Sequence, residues 1–358
     1  MAEDRYSIWK RYIEEKLADF LPEAEQKSRI LSEAMRYSLS AGGKRLRPLL
    51  LLEACSVCGG DAEKALPYAC AVEFIHTYSL IHDDHPSMDD DDYRRGKLTN
   101  HKVFGDGMAI LAGDGLLNSA FDVMMEDILP AAGRGEDVSF LLRAAYEISS
   151  SAGVRGMIAG QAADLQNTGN GYRQDAKFAG NLQGKRTTVR ERCAAADSEA
   201  GAGTVREELS GGEEGREKML LYIHKKKTGA LIRAAVRAGA LIAGASERQI
   251  AELTEYAENL GLAFQISDDI LDVVGSEAEM GKRAGADQRL GKLTYPSVFG
   301  LEVSRRRLAE ATERAVEAAA RFGEDGGFLR CHTWWRDRLD GVHALIITWA
   351  YDTMNFKR

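Results

Sequence analysis

The chain has 358 residues, of which 44% are hydrophobic and 28% charged, with a net charge of -8. That is enough apolar material for a substantial core, in one large domain or two medium ones. The acidic balance speaks against a nucleic-acid backbone as main partner, since such a partner needs a net basic face, and leaves room for small anions held by local Lys, Arg or metal. Met1 to Lys10 holds acidic residues and no apolar leader core. No run reaches the roughly 18 uncharged apolar residues that span a bilayer, so a cytoplasmic location without membrane insertion is expected. Cys55, Cys58, Cys70, Cys193 and Cys331 are odd in number and scattered, which predicts reduced thiols. Cys55 and Cys58 form a C-x-x-C with no second pair to complete a zinc site, and read as two small residues of a helix.

Only 6 prolines interrupt long Ala-, Leu-, Glu- and Arg-rich stretches, and no clear alternating strand pattern is found, so the fold class is all-α. In chain order, Tyr6 to Ala41 reads as amphipathic helix ending at Gly42-Gly43, and Arg47-Pro48 opens a helix through about Cys58. Gly59-Gly60-Asp61 is a turn. Lys64 to about Asp84 is strongly apolar, with Pro86 marking its end, and Met108 to Leu129 and Phe140 to Gln166 carry two more helices. From Thr168 to Arg216 Gly, Arg, Glu, Ala and Ser accumulate and core-forming residues are sparse, which predicts a solvated insertion. Helical pattern resumes over Met219 to Ala243 and Glu247 to Val274, and again after Pro296 to about Phe322. The expected organisation is one helical domain over residues 1–325, then a tail, 326–358, with Trp334, Trp335 and Trp349 but weak periodicity.

Two Asp-rich clusters close apolar helices. The first is Asp83-Asp84-His85-Pro86-Ser87-Met88-Asp89-Asp90-Asp91-Asp92, followed by Arg94-Arg95-Gly96, and the second is Asp268-Asp269-Ile270-Leu271-Asp272. Asp268 and Asp272 are four apart, on one helical face about one turn from each other. Like charges at that spacing cost a few tenths of a kcal/mol, and the helix C-terminus adds to the cost; a divalent cation reverses both penalties. Hard carboxylate oxygens suit Mg2+, which takes one or two of them plus waters and phosphate oxygens. An EF-hand fits poorly, because Asn100 stands where a loop from Asp89 needs its twelfth-position Glu.

Cations alternate with these clusters. Lys44 and Arg47 stand three apart at a helix start, Arg94 and Arg95 follow the first cluster, and Lys225-Lys226-Lys227-Thr228-Gly229, Lys282 and Lys292 adjoin Gly-containing turns. Together they suit a multiply charged anion gripped by metal and side chains. His76, seven residues before Asp83, lies on the same helical face about two turns below it.

In this order, G-G-K-R-x-R-P, D-D-x-x-x-x-D-D-D-D-x-R-R-G, G-Q-x-x-D, K-T-G, F-Q-x-x-D-D-I-L-D and G-K-x-x-Y-P resemble the trans-prenyl diphosphate synthases, most of all the bacterial farnesyl type. The resemblance runs from about Glu23 to Gln166 and from Tyr222 to about Phe322. It implies a helical bundle around a central cavity, a homodimer, and Mg2+ as cofactor, as about three ions. It implies that Lys44, Arg47, His76 and Arg95 hold isopentenyl diphosphate, and that Arg94, Lys227, Thr228, Gln265, Lys282 and Lys292 hold the allylic diphosphate. Asp83, Asp89, Asp268 and Asp272 would serve the metal, with Asp84, Asp164 and Asp269 in support. The implied catalytic set is Asp83, Asp84, Asp89, Arg94, Lys227 and Asp268. Tyr78 and Ser79, at five and four residues before Asp83, would close the tail cavity roughly 6 to 7.5 Å below the metal and set a C15 product. The rivals are a geranylgeranyl synthase, a class I terpene cyclase, which Lys44, Arg47 and G-K-x-x-Y-P oppose, and a non-catalytic partner subunit, which the intact Asp motifs oppose. His85 in place of the family's usual Leu, the long insertion and the tail depart from the pattern.

Overall fold

The computed structural model describes residues 5–23, 25–168, 212–274, 291–323 and 329, and among them the chain is almost wholly helical. The elements are α1 (Arg5–Asp19), α2 (Arg29–Leu39), α3 (Leu46–Val57), α4 (Ala62–Asp83), a hairpin of β1 (Tyr93–Arg94) and β2 (Lys97–Leu98), α5 (Asn100–Phe104), α6 (Asp106–Gly133), α7 (Ser139–Ala152) and α8 (Met157–Asn167). After residue 211 follow α9 (Gly212–Ile223), a π-helical segment (His224–Gly229), α10 (Ala230–Ile242), α11 (Glu247–Val274), α12 (Tyr295–Phe299) and α13 (Leu301–Ala320).

The apolar helix α4 sits at the centre, packed on α3 and α6, while α10 packs against α3 and α7 and α11 against α13. Glycine sets one of these approaches: a Cβ on Gly239 of α10 would lie 2.1 Å from the Leu51 carbonyl oxygen of α3, so only hydrogen fits. The continuous core runs from Ile13 through Leu49–Leu52, Phe74 and Ile75 to Leu231 and Tyr256. Helix α6 is long and apolar enough to cross a membrane by length and composition, but its buried residues Ala109, Ala112, Leu116 and Val123 pack as one wall of this core.

Several boundaries differ from the sequence pattern. The expected helix over Tyr6 to Ala41 is two, α1 and α2, parted around Pro22. The segment from Phe140 to Gln166 also divides, at Gly153–Gly156, where a Cβ on Gly156 would fall 1.8 Å from the Ser151 carbonyl oxygen. Helix α4 stops at Asp83, three residues before Pro86. Helix α9 begins at Gly212, so the last residues of the expected insertion are helical, while residues 169–211, Lys282 and the tail from residue 330 lie outside the described residues. The chain also contains strand after all: Tyr93 pairs with Leu98 and Arg94 with Lys97, around a turn whose Arg95 and Gly96 have φ of 53° and 76°. Positive φ at both central residues marks the tight turn that matches strand twist, and two-residue strands leave no alternation to read.

Candidate active site

The first acidic helix end is folded back on itself. Beyond Asp83 the Asp89 N–H donates to the Asp83 carbonyl at 2.9 Å and the Asp91 N–H to that of Asp84 at 3.2 Å, with Asp90 left-handed at φ 51°. The hairpin then returns Arg94 to this loop: its guanidinium pairs with Asp84 at 2.5 Å and with Asp91 at 3.4 Å. Arg95, one residue on, points the other way and donates to the Gly42 carbonyl. A Cβ on Gly43 would lie 2.6 Å from the Arg95 guanidinium carbon, so the G-G of the first motif makes room for that side chain.

Between Gly43 and α3 stands Arg45, which the sequence reading passed over. It is left-handed at φ 50°, 3% exposed, pairs with Glu73 of α4 at 2.6 Å and donates to the Leu39 carbonyl at 2.7 Å. This buried pair pins the loop to the bundle, and Lys44 and Arg47 on either side line the cavities. Nothing in a G-G-K-R-x-R-P string separates the structural arginine from the two cavity-lining cations, since all three are basic.

The second acidic end remains within α11. Asp268 is exposed, whereas Asp269 and Asp272 are buried. The Asp269 carboxylate accepts from the Tyr295 N–H at 2.8 Å and from Gln265 Nε2 at 3.0 Å, and Gln265 accepts from Thr228 at 2.7 Å. Opposite, a Cβ on Gly160 of α8 would sit 2.1 Å from the Lys227 backbone nitrogen, so the Gly of G-Q-x-x-D lets α8 press against the π segment. Lys227 itself pairs with Asp164 of the same motif at 2.6 Å.

Two connected cavities lie between these ends. The upper, of about 450 Å3, is polar and is lined by Lys44, Asp89, Arg94, Arg95, Asp164, Lys292 and the second cluster through Asp268 and Asp269. The deeper, of about 630 Å3, is walled by Leu117, Met157, Leu165 and Phe264, with Arg47, His76, Tyr78, Ser79, Asp83 and Thr228. Lys227, Gln265 and Asp268 line both, and Asp83 and Asp268 share the deeper one. Most of the expected residues therefore line these cavities. Asp84 does not: it is 3% exposed, paired with Arg94, and lines neither. Asp272 is 2% exposed and lines neither cavity, where Leu271 does so instead, and Lys282 lies outside the described residues. His85 turns aside: its Nδ1 meets Ser87 at 2.9 Å, its ring lies 6.0 Å from that of His101, and it lines neither cavity.

Burial tunes the charges. It pushes the Asp83 carboxyl above its usual range, against the pull of Lys227. Asp84 is driven up to about 6 by burial despite Arg94, and burial holds the His76 imidazole well below its ordinary value, with Arg47 adding to the effect. Burial lowers Arg47 to about 10. Lys227 is shifted up because Asp83 and Asp164 overcome its burial. The site is thus a recess in which carboxylates and cations are paired with one another, Lys292 on Asp89 at 3.1 Å included. Among the described residues no three His, Cys, Asp or Glu side chains stand close enough to hold an ion by themselves. The donor set is nonetheless all hard oxygen, which suits Mg2+ bound through one or two carboxylates with phosphate and water completing its shell.

The polyprenyl synthetase family model matches residues 28–324. The chain belongs to that family. It is 43% identical over 323 residues to a farnesyl diphosphate synthase of Geobacillus stearothermophilus, covering 89% of this chain and 92% of the relative. It is also 43% identical over 297 residues to geranylgeranyl pyrophosphate synthase 11, chloroplastic, of Arabidopsis thaliana, covering 82% and 70%. Among solved structures it resembles an FPP/GFPP synthase of Zymomonas mobilis with a TM-score of 0.67 and 32% identity, over 91% of this chain and 94% of that one.

Proposed function

We propose that this prenyltransferase condenses an allylic diphosphate with isopentenyl diphosphate, head to tail, to give farnesyl diphosphate. The observation that carries this reading is the meeting of Asp83 and Asp268 in a cavity that is polar above and apolar below. Bound Mg2+ held by Asp83, Asp89 and Asp268 would supply electrophilic stabilisation of the diphosphate leaving group. Lys227, Arg94 and Lys292 add cationic charge where that negative charge develops, exchanging their carboxylate partners for phosphate oxygens. Lys44, Arg47, His76 and Arg95 hold the isopentenyl diphosphate so that its double bond faces the allylic carbon; the allylic C–O bond breaks, the new C–C bond forms, and a proton leaves to the departed diphosphate. No protein nucleophile is required, and the apolar wall excludes water from the cation.

The tail occupies the deeper cavity, where Tyr78, 5% exposed and edge-on to His82 at 5.6 Å, forms the floor with Ser79. An aromatic there favours a C15 product over the C20 of a geranylgeranyl synthase. The enzyme is proposed to act in the cytosol as a homodimer, in keeping with the free thiols of Cys55, Cys58 and Cys70. Purified protein with Mg2+, dimethylallyl diphosphate and labelled isopentenyl diphosphate is expected to yield C15 product, to stop with EDTA and to resume with added Mg2+. Label absent from prenyl alcohol after phosphatase treatment would refute the reading. Tyr78→Ala is expected to lengthen the product, and an unchanged C15 would remove Tyr78 from the floor.

A further inference from the structure

Lys227 is carried on the π-helical segment His224–Gly229, and π turns break the regular helical ladder, commonly at functional sites. Both ends of this segment are tied to the second acidic helix. At one end Thr228 donates to Gln265 at 2.7 Å, and Gln265 passes the contact on to Asp269 at 3.0 Å. At the other, His224 Nε2 stands 3.4 Å from Asp269 Oδ2, the same oxygen that accepts from the Tyr295 N–H. The His224 ring is stacked on Tyr295 at 5.3 Å and 27°, is 6% exposed and lines the polar cavity. His224 and Thr228 are four apart, as are Gln265 and Asp269, so the contacts form two rungs of a ladder with Lys227 held between them.

We infer that His224 is a positioning residue for the condensation: with Thr228 it clamps the π segment onto Asp269 and Gln265, and so fixes Lys227 against the diphosphate site. The inference rests on the proposed prenyl transfer and adds to it a role that none of the metal-facing or phosphate-facing residues fills. Packing alone would not choose a histidine here. Its Nδ1 is buried with no hydrogen-bond partner among the described residues, a cost that an apolar side chain of similar size would not carry. What the imidazole supplies is an Nε2 that stands 3.4 Å from a carboxylate which Gln265 and Tyr295 already hold in place.

The clamp faces the allylic side, whereas Lys44 and Arg95 flank the opposite loop, so its loss separates the two substrates. His224→Leu is expected to lower kcat/KM for dimethylallyl diphosphate about 10- to 100-fold, the range for groups that orient site ligands, with the KM for isopentenyl diphosphate within about twofold. His224→Gln, which keeps an N–H donor, is expected to recover most of the loss. His224→Leu combined with Asp269→Asn is expected to be no worse than the poorer single variant. Equal loss in the Leu and Gln variants, equal loss toward both substrates, or multiplying losses in the double variant would each overturn the clamp. Calorimetry with inorganic diphosphate and Mg2+ reads the same contact without turnover: His224→Leu should bind about 10-fold more weakly and His224→Gln like wild type, and indistinguishable affinities would overturn it. Wild-type protein that binds diphosphate but forms no product would count against prenyl transfer and leave the calorimetric comparison decisive. Should His224→Leu not fold, His224→Phe keeps the stacking on Tyr295 without a ring nitrogen and must give the same split between substrates; equal losses refute the inference.

Discussion

The two acidic helix ends solve one problem in different ways. At the first, the helix stops at Asp83 and the carboxylates ride on a loop and hairpin with left-handed Asp90 and Arg95, balanced by cations: Asp84 on Arg94, Asp89 on Lys292. At the second, the helix continues to Val274, and Asp269 is satisfied by uncharged donors, a backbone N–H and an amide. Arg94 and Lys292 line the polar cavity and can take a phosphate oxygen in place of a carboxylate, whereas a buried scaffold of backbone and amide hydrogen bonds holds no such charge to exchange. On the proposed function, the first end changes partners on binding and the second holds its shape.

Disturbing the fixed end through its neighbour should have the larger effect on rate. Gly160→Ala forces α8 away from the Lys227 backbone, and a shift of about 1 Å at a site residue costs about 10²-fold. Steady-state kinetics should record that loss together with a destabilisation of about 1 to 3 kcal/mol, and an unchanged kcat would mean that Lys227 needs no such support. At the buried Arg45–Glu73 strut, apart from both ends, the effect should fall on stability. Glu73→Gln removes the nearer counter-charge of buried Arg45, leaving Glu14 at 3.7 Å, and is expected to cost about 3 kcal/mol in denaturant unfolding, which a cost below about 1 kcal/mol would contradict.

A smaller test uses pH. Burial pushes His224 down to about 3, with Lys227 adding, so the folded chain keeps it neutral while the unfolded chain takes up a proton below about 6.5. The resulting stability is complete above that value and is lost as pH falls toward about 3, at up to about 1.4 kcal/mol per pH unit. His224→Leu should show a correspondingly flatter acid limb, and parallel limbs would place the proton uptake elsewhere.

What the sequence makes legible follows from repetition and charge. Helical periodicity locates α3, α4, α6 and α11 to within a few residues, and the alternation of Asp and basic motifs collects Lys44, Asp83, Lys227 and Asp268 into one site. Local backbone exceptions are not periodic and so do not register: the hairpin that turns Arg94 and Arg95 apart, the π segment under Lys227, and the helix breaks at Pro22 and Gly153–Gly156. Chemical type alone also misleads. Arg45 resembles its cavity-lining neighbours yet is a buried strut, and Asp272 shares a helical face with Asp268 yet is covered, because burial depends on what packs opposite and not on spacing.

The central claim is that Asp83 and Asp268 serve one Mg2+-dependent diphosphate site. Calorimetry of a non-hydrolysable allylic diphosphate analogue, with and without Mg2+, on wild type, Asp83→Asn, Asp268→Asn and the double variant tests it directly. If the two carboxylates act together, each single change should remove most of the Mg2+-dependent gain in affinity and the double change should remove no more. Losses that add, or a gain that survives either substitution, would mean that the two helix ends work apart.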